Sequence, residues 1–292
     1  MAESPRDLTG RVCVLTGANR GIGRAAAERL AERGATLELV IRSPDDAERT
    51  ARELREATGN PEIHAVTCDL ASQRSIRRAA DEIRNRRPVV DVLVNNAGTI
   101  RRRRAVTEDG FEYVFAVNHL AGFLLTHLLL DPVLAAPAGR VVVVSSEAHK
   151  GARLEFDDLQ LTQGYSGIRA YSRSKLANIF FAYELARRLE GTRVTANALH
   201  PGVVATRLLM DYLPLGFITR PIARLFGRSP EEGGAEIEFA AASPELEGVS
   251  GKYFVKQRAA RSSDYSYDAH DAQRLWDLSA EMTGVSAAIA AA

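Results

Sequence analysis

The sequence predicts an α/β fold, a doubly wound parallel sheet of about seven strands with helices on both faces. Short β-branched runs alternate with longer segments of helical periodicity along the chain. The strand runs are apolar on both faces, which suits a parallel sheet covered from each side. A glycine-rich turn, TGANRGIG (Thr16–Gly23), leads from the first strand straight into the first helix. Such alternation requires right-handed crossovers. Ligands of these sheets bind beyond the carboxyl ends of the strands, where the strand order reverses.

Strands are expected at Val12–Thr16, Thr36–Ile41, Ile63–Cys68, Val90–Val94, Arg140–Ser145, Val194–Leu199 and Lys252–Val255. Between them, residues 46–57 (DAERTARELREA) and 75–86 (SIRRAADEIRNR) place apolar side chains at helical spacing with charge elsewhere. The stretch 122–130 (GFLLTHLLL) falls far short of the ~20 apolar residues of a membrane span and reads as a buried core helix. Ser229-Pro230-Glu231-Glu232 reads as an N-cap, a proline at the first helical position and a capping-box glutamate. The Ala-rich tail beyond Thr283 has little to pack and is expected to fray. No repeat or linker interrupts the pattern, so residues 1–292 read as one domain.

A chain of 292 residues, 46% hydrophobic and 26% charged, has ample material for a core, and a net charge of +1 offers no global attraction to nucleic acid or an anionic membrane. Two cysteines, Cys13 and Cys68, are too few for a disulfide framework and fit a reducing compartment. The opening MAESPRDLTG is polar and carries no secretory leader, so a cytoplasmic protein is expected. His119, His127, His149 and His200 match no metal-ligand spacing; they read as packing residues, and no metal is expected.

Gly17, Gly21 and Gly23 are spaced so that backbone turns tightly and approaches a pyrophosphate at a helix N-terminus. Placed between an early strand and a helix, the trio is a dinucleotide signal. An NAD site carries an acid at the end of the second strand, to hold the ribose 2′-hydroxyl. Here Ile41 stands at that end with Arg42 beside it, and Arg20 lies inside the turn. Two cations and no carboxylate favour a 2′-phosphate, and so NADP(H). Asp45 and Asp46 are assigned to the first turn of the next helix.

Tyr171-Ser-Arg-Ser-Lys175 opens a helical pattern running to about Leu189. Four residues apart, Tyr171 and Lys175 share one helix face. A phenol is a poor base at neutral pH, and a neighbouring ammonium is expected to favour its ionised form. That is the arrangement of an acid–base tyrosine.

TGANRGIG, CDL (Cys68–Leu70), NNAG (Asn95–Gly98), VNHL (Val117–Leu120), VVVVSS (Val141–Ser146), YSRSK and LHPGVVAT (Leu199–Thr206) occur in the order of the short-chain dehydrogenase/reductase family, with a fainter match in GKYF. The chain resembles that family and, within it, the retinol dehydrogenase-like branch. The resemblance implies a Rossmann-type fold and an NADP(H)-dependent oxidoreductase that interconverts a carbonyl and an alcohol. It implies that Gly17, Asn19, Arg20, Gly21, Ile22 and Gly23 cradle the cofactor and that Asp69, with Leu70, meets adenine. Asn96, Ala97 and Gly98 would line the cofactor beside the fourth strand. Asn118 resembles the residue holding a water in a proton relay that ends at Lys175. Ser146, in preference to Ser145, resembles the serine that hydrogen-bonds the substrate oxygen. Lys175 would also bond the nicotinamide ribose, and Pro201, Gly202 and Thr206 would hold the carboxamide.

The interval between Ser146 and Tyr171 is longer than in most of the superfamily, and the insertion reads as pocket wall or as a surface excursion. By resemblance, about 203–230 forms a substrate lid; its apolar side chains suit a lipophilic carbonyl or alcohol, or else pack on the core or another subunit. Arg101–Arg104 read as a solvated loop or as cations drawing an anionic substrate group. Apolar residues nearly all round the Tyr171 helix (Leu176, Ile179, Phe180, Phe181, Leu185) and along Phe123–Leu130 suggest a homodimer or higher oligomer. Rival readings are a light-driven double-bond reductase on the same fold and a non-catalytic NADPH-binding regulator. The regulator is disfavoured because Asn118, Ser146, Tyr171 and Lys175 are all present.

Overall fold

The computed structural model describes residues 8–202 and 229–289. Each run expected to be a strand is one, with ends moved by a residue or two: β1 (Val12–Thr16), β2 (Thr36–Ile41), β3 (Ile63–Thr67), β4 (Val92–Asn95), β5 (Arg140–Val144), β6 (Thr195–His200) and β7 (Tyr253–Val255). The sheet has eight described strands where about seven were expected, because β8 (Arg258–Ala260) follows β7. This strand is Arg-Ala-Ala, with none of the β-branched or aromatic residues that mark strands. The Lys256-Gln257 turn before it has positive φ at both residues yet lacks the glycine that ordinarily signals such a hairpin. The order is β3-β2-β1-β4-β5-β6-β7-β8, parallel throughout except for the last pair.

Among the described residues, helices α1 (Gly21–Glu32), α2 (Pro44–Thr58), α3 (Gln73–Arg86), α4 (Tyr113–Phe115), α5 (Ala121–Leu128), α6 (Leu130–Leu134), α7 (Gly167–Arg188), α8 (Pro230–Ala242) and α9 (Ala269–Thr283) cover the sheet. Alternate strand residues enter opposite layers. Val141 and Val143 join Phe123, Phe181 and Trp276 on one face, while Val142 and Val144 join Leu30, Ile237 and Phe254 on the other. Glu38 breaks the apolar pattern of β2; its fully buried carboxylate is offset by Arg86 and Arg87, at 2.7 and 2.8 Å. The caps follow the sequence. The Ser43 hydroxyl accepts the Asp46 amide ahead of α2, whose first turn holds Asp45 and Asp46, and Ser229 and Glu232 form the capping box of α8.

The C-terminal end bears on two expectations. The apolar residues of the Tyr171 helix that suggested a partner subunit are buried within the chain, because α9 lies across α5 and α7. Trp276 meets the Phe123 and Phe181 rings at centroid separations of 4.9 and 5.9 Å, and His119 Nε2 pairs with Ser279 Oγ at 2.8 Å. The tail also does not fray where it leaves α9. Val285, Ala287 and Ile289 pack on the core, and the Ala287 carbonyl accepts from Trp276 Nε1 at 2.8 Å and Arg188 at 2.7 Å. Alanine has little to bury, but its backbone carbonyl bonds as well as any other.

No helix among the described residues is long and apolar enough to cross a membrane. Trp276→Ala is expected to cost about 3–5 kcal/mol of stability. Urea denaturation followed by circular dichroism measures it, and a loss below about 1 kcal/mol would show that α9 contributes little to the core.

Candidate active site

The strand order reverses at β1, whose two neighbours β2 and β4 lead the chain to opposite edges of the sheet. The loops leaving β1 and β4 diverge there and open a crevice. Thr16, the last residue of β1, ties the two strands: its hydroxyl accepts the amides of Asn96 and Ala97 at 2.9 and 3.0 Å. In return, Asn96 Nδ2 donates to the carbonyls of Thr16 and Gly17 at 2.8 and 3.3 Å. Asn96 thus braces the turn with its side chain, a role the sequence did not indicate.

The glycines have different reasons. Gly17 has a φ of 72°, which side chains rarely adopt. Gly23 is required by space, since a Cβ there would lie 2.2 Å from the Gly17 carbonyl oxygen and 2.5 Å from Asn96 Nδ2. The helix N-terminus behind the turn has no side-chain cap and no acid in its first turn, so its amides remain available to an anion. Asn19 and Ile22 are partly buried along the turn, and Arg20 is exposed. Ile41 is buried at the end of β2 with Arg42 exposed after it; among the described residues neither the Arg20 nor the Arg42 guanidinium has a partner. Asp69 and Leu70 follow β3, the Asp69 carboxylate accepting the Ala71 amide at 3.0 Å. A cradle that a methyl would fill and an uncapped helix end fit the pyrophosphate of a dinucleotide.

Across the crevice, Tyr171 lies one turn inside α7, which begins at Gly167, earlier than the sequence pattern suggested. The Ser146 hydroxyl lies near enough to the Tyr171 hydroxyl to favour its ionised form. Ser145 is excluded from this role, because its buried hydroxyl donates to the Lys175 carbonyl at 2.7 Å. Lys175 is buried, its Nζ donating to the Val144 carbonyl at 3.0 Å, and a Cβ on Gly98 would lie 3.4 Å from that nitrogen. Asn118 sits in a π-turn (Ala116–Leu120) between α4 and α5, a distortion frequent at functional sites. Its amide accepts from Thr99 N–H at 2.7 Å and donates to Thr99 O and Ser174 Oγ, both at 2.9 Å. Thr16, Thr99 and Ser174 went unmarked in the sequence because each acts on a residue brought close only by folding. Pro201 is buried and Gly202 partly buried after β6. Thr206 and nearly all of the lid at 203–230 lie outside the described residues.

The electrostatics differ from the sequence expectation. Burial pushes the Tyr171 hydroxyl above its ordinary value, and the opposing influence is the nearby Ser146 hydroxyl. The Lys175 ammonium instead lies over the tyrosine ring, 5.6 Å from its centroid, and burial lowers its own pKa to about 8.

The sequence profile described as short chain dehydrogenase matches residues 11–214. The chain belongs to the short-chain dehydrogenase family. It is 42% identical to retinol dehydrogenase 14 of Homo sapiens over 96% of this chain and 88% of that one, which puts it in the retinol dehydrogenase-like branch. Among solved structures, it superposes on an uncharacterised protein from Mycobacterium paratuberculosis with TM-score 0.80 and 33% identity, covering 97% of each chain. A Pseudomonas aeruginosa RhlG/NADP active-site complex gives TM-score 0.68 and 27% identity over 85% of this chain and 95% of that one. The protein is thus an oxidoreductase of this family, built on its Rossmann-type fold.

The insertion between Ser146 and Tyr171 packs inward. Leu161 is buried in the same small cluster as Tyr171, with a positive φ of 46° unusual for leucine, and Arg173 of α7 holds Glu155 at 2.6 Å. The insertion is therefore more than a surface excursion, although Ile168 is exposed. Of the four arginines after NNAG, Arg104 donates to the Gln160 carbonyl at 3.1 Å and Arg101 lies on the Tyr113 ring at 3.7 Å. Arg101, Arg102 and Arg103 are exposed. The one grouping of metal-binding residue types among the described residues, Asp268, His270 and Asp271, lies at the start of α9, where Asp268 serves as the helix cap.

Below pH 8 the folded protein holds the Lys175 ammonium in a dry site, at a cost of about 3 kcal/mol for a pKa lowered from 10.5 to about 8. From pH 8 to 10.5 the unfolded chain keeps a proton the folded one has shed, so this cost disappears as pH rises through that window. Lys175→Met is expected to raise stability at pH 7 by about 1–3 kcal/mol, with the gain vanishing near pH 10. Urea unfolding at the two pH values tests this, and equal stability at pH 7 contradicts it.

Proposed function

We propose that the protein is an NADP(H)-dependent reductase or dehydrogenase that interconverts a lipophilic ketone or aldehyde and its alcohol, with Tyr171 as the acid–base group. The observation that carries the reading is the Ser146–Tyr171 hydroxyl pair, set beside Lys175 and Gly98 at the mouth of the β1–β4 crevice. A bound dinucleotide would supply or accept the hydride. The residues of the chain handle the oxygen and its proton. Ser146 Oγ accepts the Ala148 amide at 3.3 Å, which leaves its own proton to donate to a substrate oxygen. Tyr171, kept protonated by burial, donates to that oxygen in reduction and must lose its proton in oxidation. Lys175 would hold the ribose and supply positive charge next to the developing phenolate. The Asn118 amide has both N–H bonds committed, so any water it orients meets its remaining oxygen lone pair or its backbone carbonyl.

NADP(H) is favoured over NAD(H) by Ile41 and Arg42 at the end of β2 and by Arg20, and the RhlG complex, which holds NADP, is a structural precedent. A preference for NADP leans towards reduction. The apolar composition of 203–230 and the kinship with retinol dehydrogenase 14 make retinal and other lipophilic aldehydes and ketones the first substrates to screen.

Tyr171→Phe is expected to reduce NADPH-dependent turnover by about 10²–10⁴-fold while NADPH binding, read by its fluorescence, is unchanged. A protein that only senses NADPH would lose nothing. Replacing both Arg20 and Arg42 with Ala is expected to raise the KM for NADPH by about 10–100-fold and leave that for NADH unchanged. Equal effects on both cofactors would remove the assignment of these arginines to the 2′-phosphate.

A further inference from the structure

His149 stands three residues after Ser146, on the 3₁₀ turn Glu147–Gly151 that Ser146 caps. It is fully buried, and both ring nitrogens are engaged. Nδ1 lies 2.6 Å from the Ser146 carbonyl oxygen, which can only accept, so Nδ1 carries the proton. Nε2 lies 3.1 Å from the backbone N–H of Ser263, which can only donate, so Nε2 is bare. The two partners together fix one neutral tautomer, and burial keeps the ring uncharged by holding its pKa below the ordinary histidine value. The Tyr253 ring of β7 packs edge-on against the imidazole at 5.1 Å between centroids.

The segment that His149 grasps is also bonded to the tyrosine helix. Ser262 Oγ pairs with Tyr183 of α7 at 2.8 Å and with Ser266 Oγ at 2.6 Å. Ser146 and Tyr171 come from different elements, and their hydroxyls must both reach one substrate oxygen. A route of hydrogen bonds runs from the Ser146 carbonyl through His149 to Ser263, and from Ser262 to Tyr183 on the helix of Tyr171.

We propose that His149, as its Nδ1–H tautomer, is a positioning residue that sets the Ser146–Tyr171 separation by tying the serine turn to the Ser262–Ser266 segment. The inference rests on the reading of Ser146 and Tyr171 given above. His149→Phe keeps an aromatic ring for Tyr253 to pack on and removes both hydrogen bonds. Its kcat is expected to fall by roughly 10–100-fold with NADPH binding and Tm near wild type, since small misplacement of reacting groups costs rates of that order. His149→Asn retains a donor for the Ser146 carbonyl and is expected to recover most of kcat. Tyr183→Phe provides a test that leaves the histidine in place: it keeps the ring and removes the hydroxyl that ties Ser262 to α7. In that variant kcat is expected to fall several-fold with NADPH binding unchanged, while ¹⁵N NMR of the His149 ring still shows the Nδ1–H tautomer that the Ser146 carbonyl fixes.

A folded His149→Phe with wild-type kcat, or a folded Tyr183→Phe with wild-type kcat, overturns the proposal. Ser146→Ala separates this failure from that of the functional reading. If Ser146→Ala keeps full activity, the reading of the site is wrong; if it loses activity while His149→Phe does not, only the role of His149 is wrong.

Discussion

The Thr16 hydroxyl and the Asn96 side chain hold together the ends of two strands whose following loops diverge. A parallel sheet brings every strand's carboxyl end to one edge, and only at the reversal of strand order does that edge open. Backbone amides and carbonyls there have lost their ladder partners, and each must be satisfied or solvated. Thr16 and Asn96 satisfy several at once and, in doing so, fix the height of Gly17 above the sheet. Gly23 can enter under that turn only because it has no side chain. The position of α1, the shape of the crevice and the distance across it to Lys175 follow from this tie.

The opposite wall works against its own stability. A lysine, a tyrosine and an asparagine are packed behind the last turn of β5, where an apolar trio would cost less to bury. Their hydrogen bonds recover part of that cost: Lys175 has Val144, and Asn118 has Thr99 and Ser174. The result is a lysine that loses its proton more readily and a tyrosine that resists ionisation, two groups whose pKa values the same dry surroundings push apart. Groups shifted this way cluster where protons are transferred.

The C-terminal third completes both walls from a distance. Helix α9 seals α5 and α7 with Trp276, the tail behind it supplies the Ala287 carbonyl, and Ser262–Ser266 reaches the serine turn and the tyrosine helix. An apolar face that reads from sequence as a place for a partner subunit is thereby covered by the chain itself.

The order of elements, the glycine turn and the Tyr171–Lys175 pair were legible in the sequence, because each is a local property: periodicity over a dozen residues, a spacing of four along a helix, a turn that needs glycine. The cation at the end of β2 was legible for the same reason, whereas Ser146 came from the family resemblance. What required the tertiary structure was every relation between distant segments. Strand β8 has no propensity of its own and exists because β7 offers an edge. That the Ser145 hydroxyl is taken by the Lys175 carbonyl depends on the docking of α7, and the direction of the Tyr171 shift depends on burial that no spacing reveals. His149 looks like any core histidine until Ser263, far along the chain, is found against its second nitrogen. Local chemistry determined which groups are present; long-range packing decided their protonation, their partners and which of them meet.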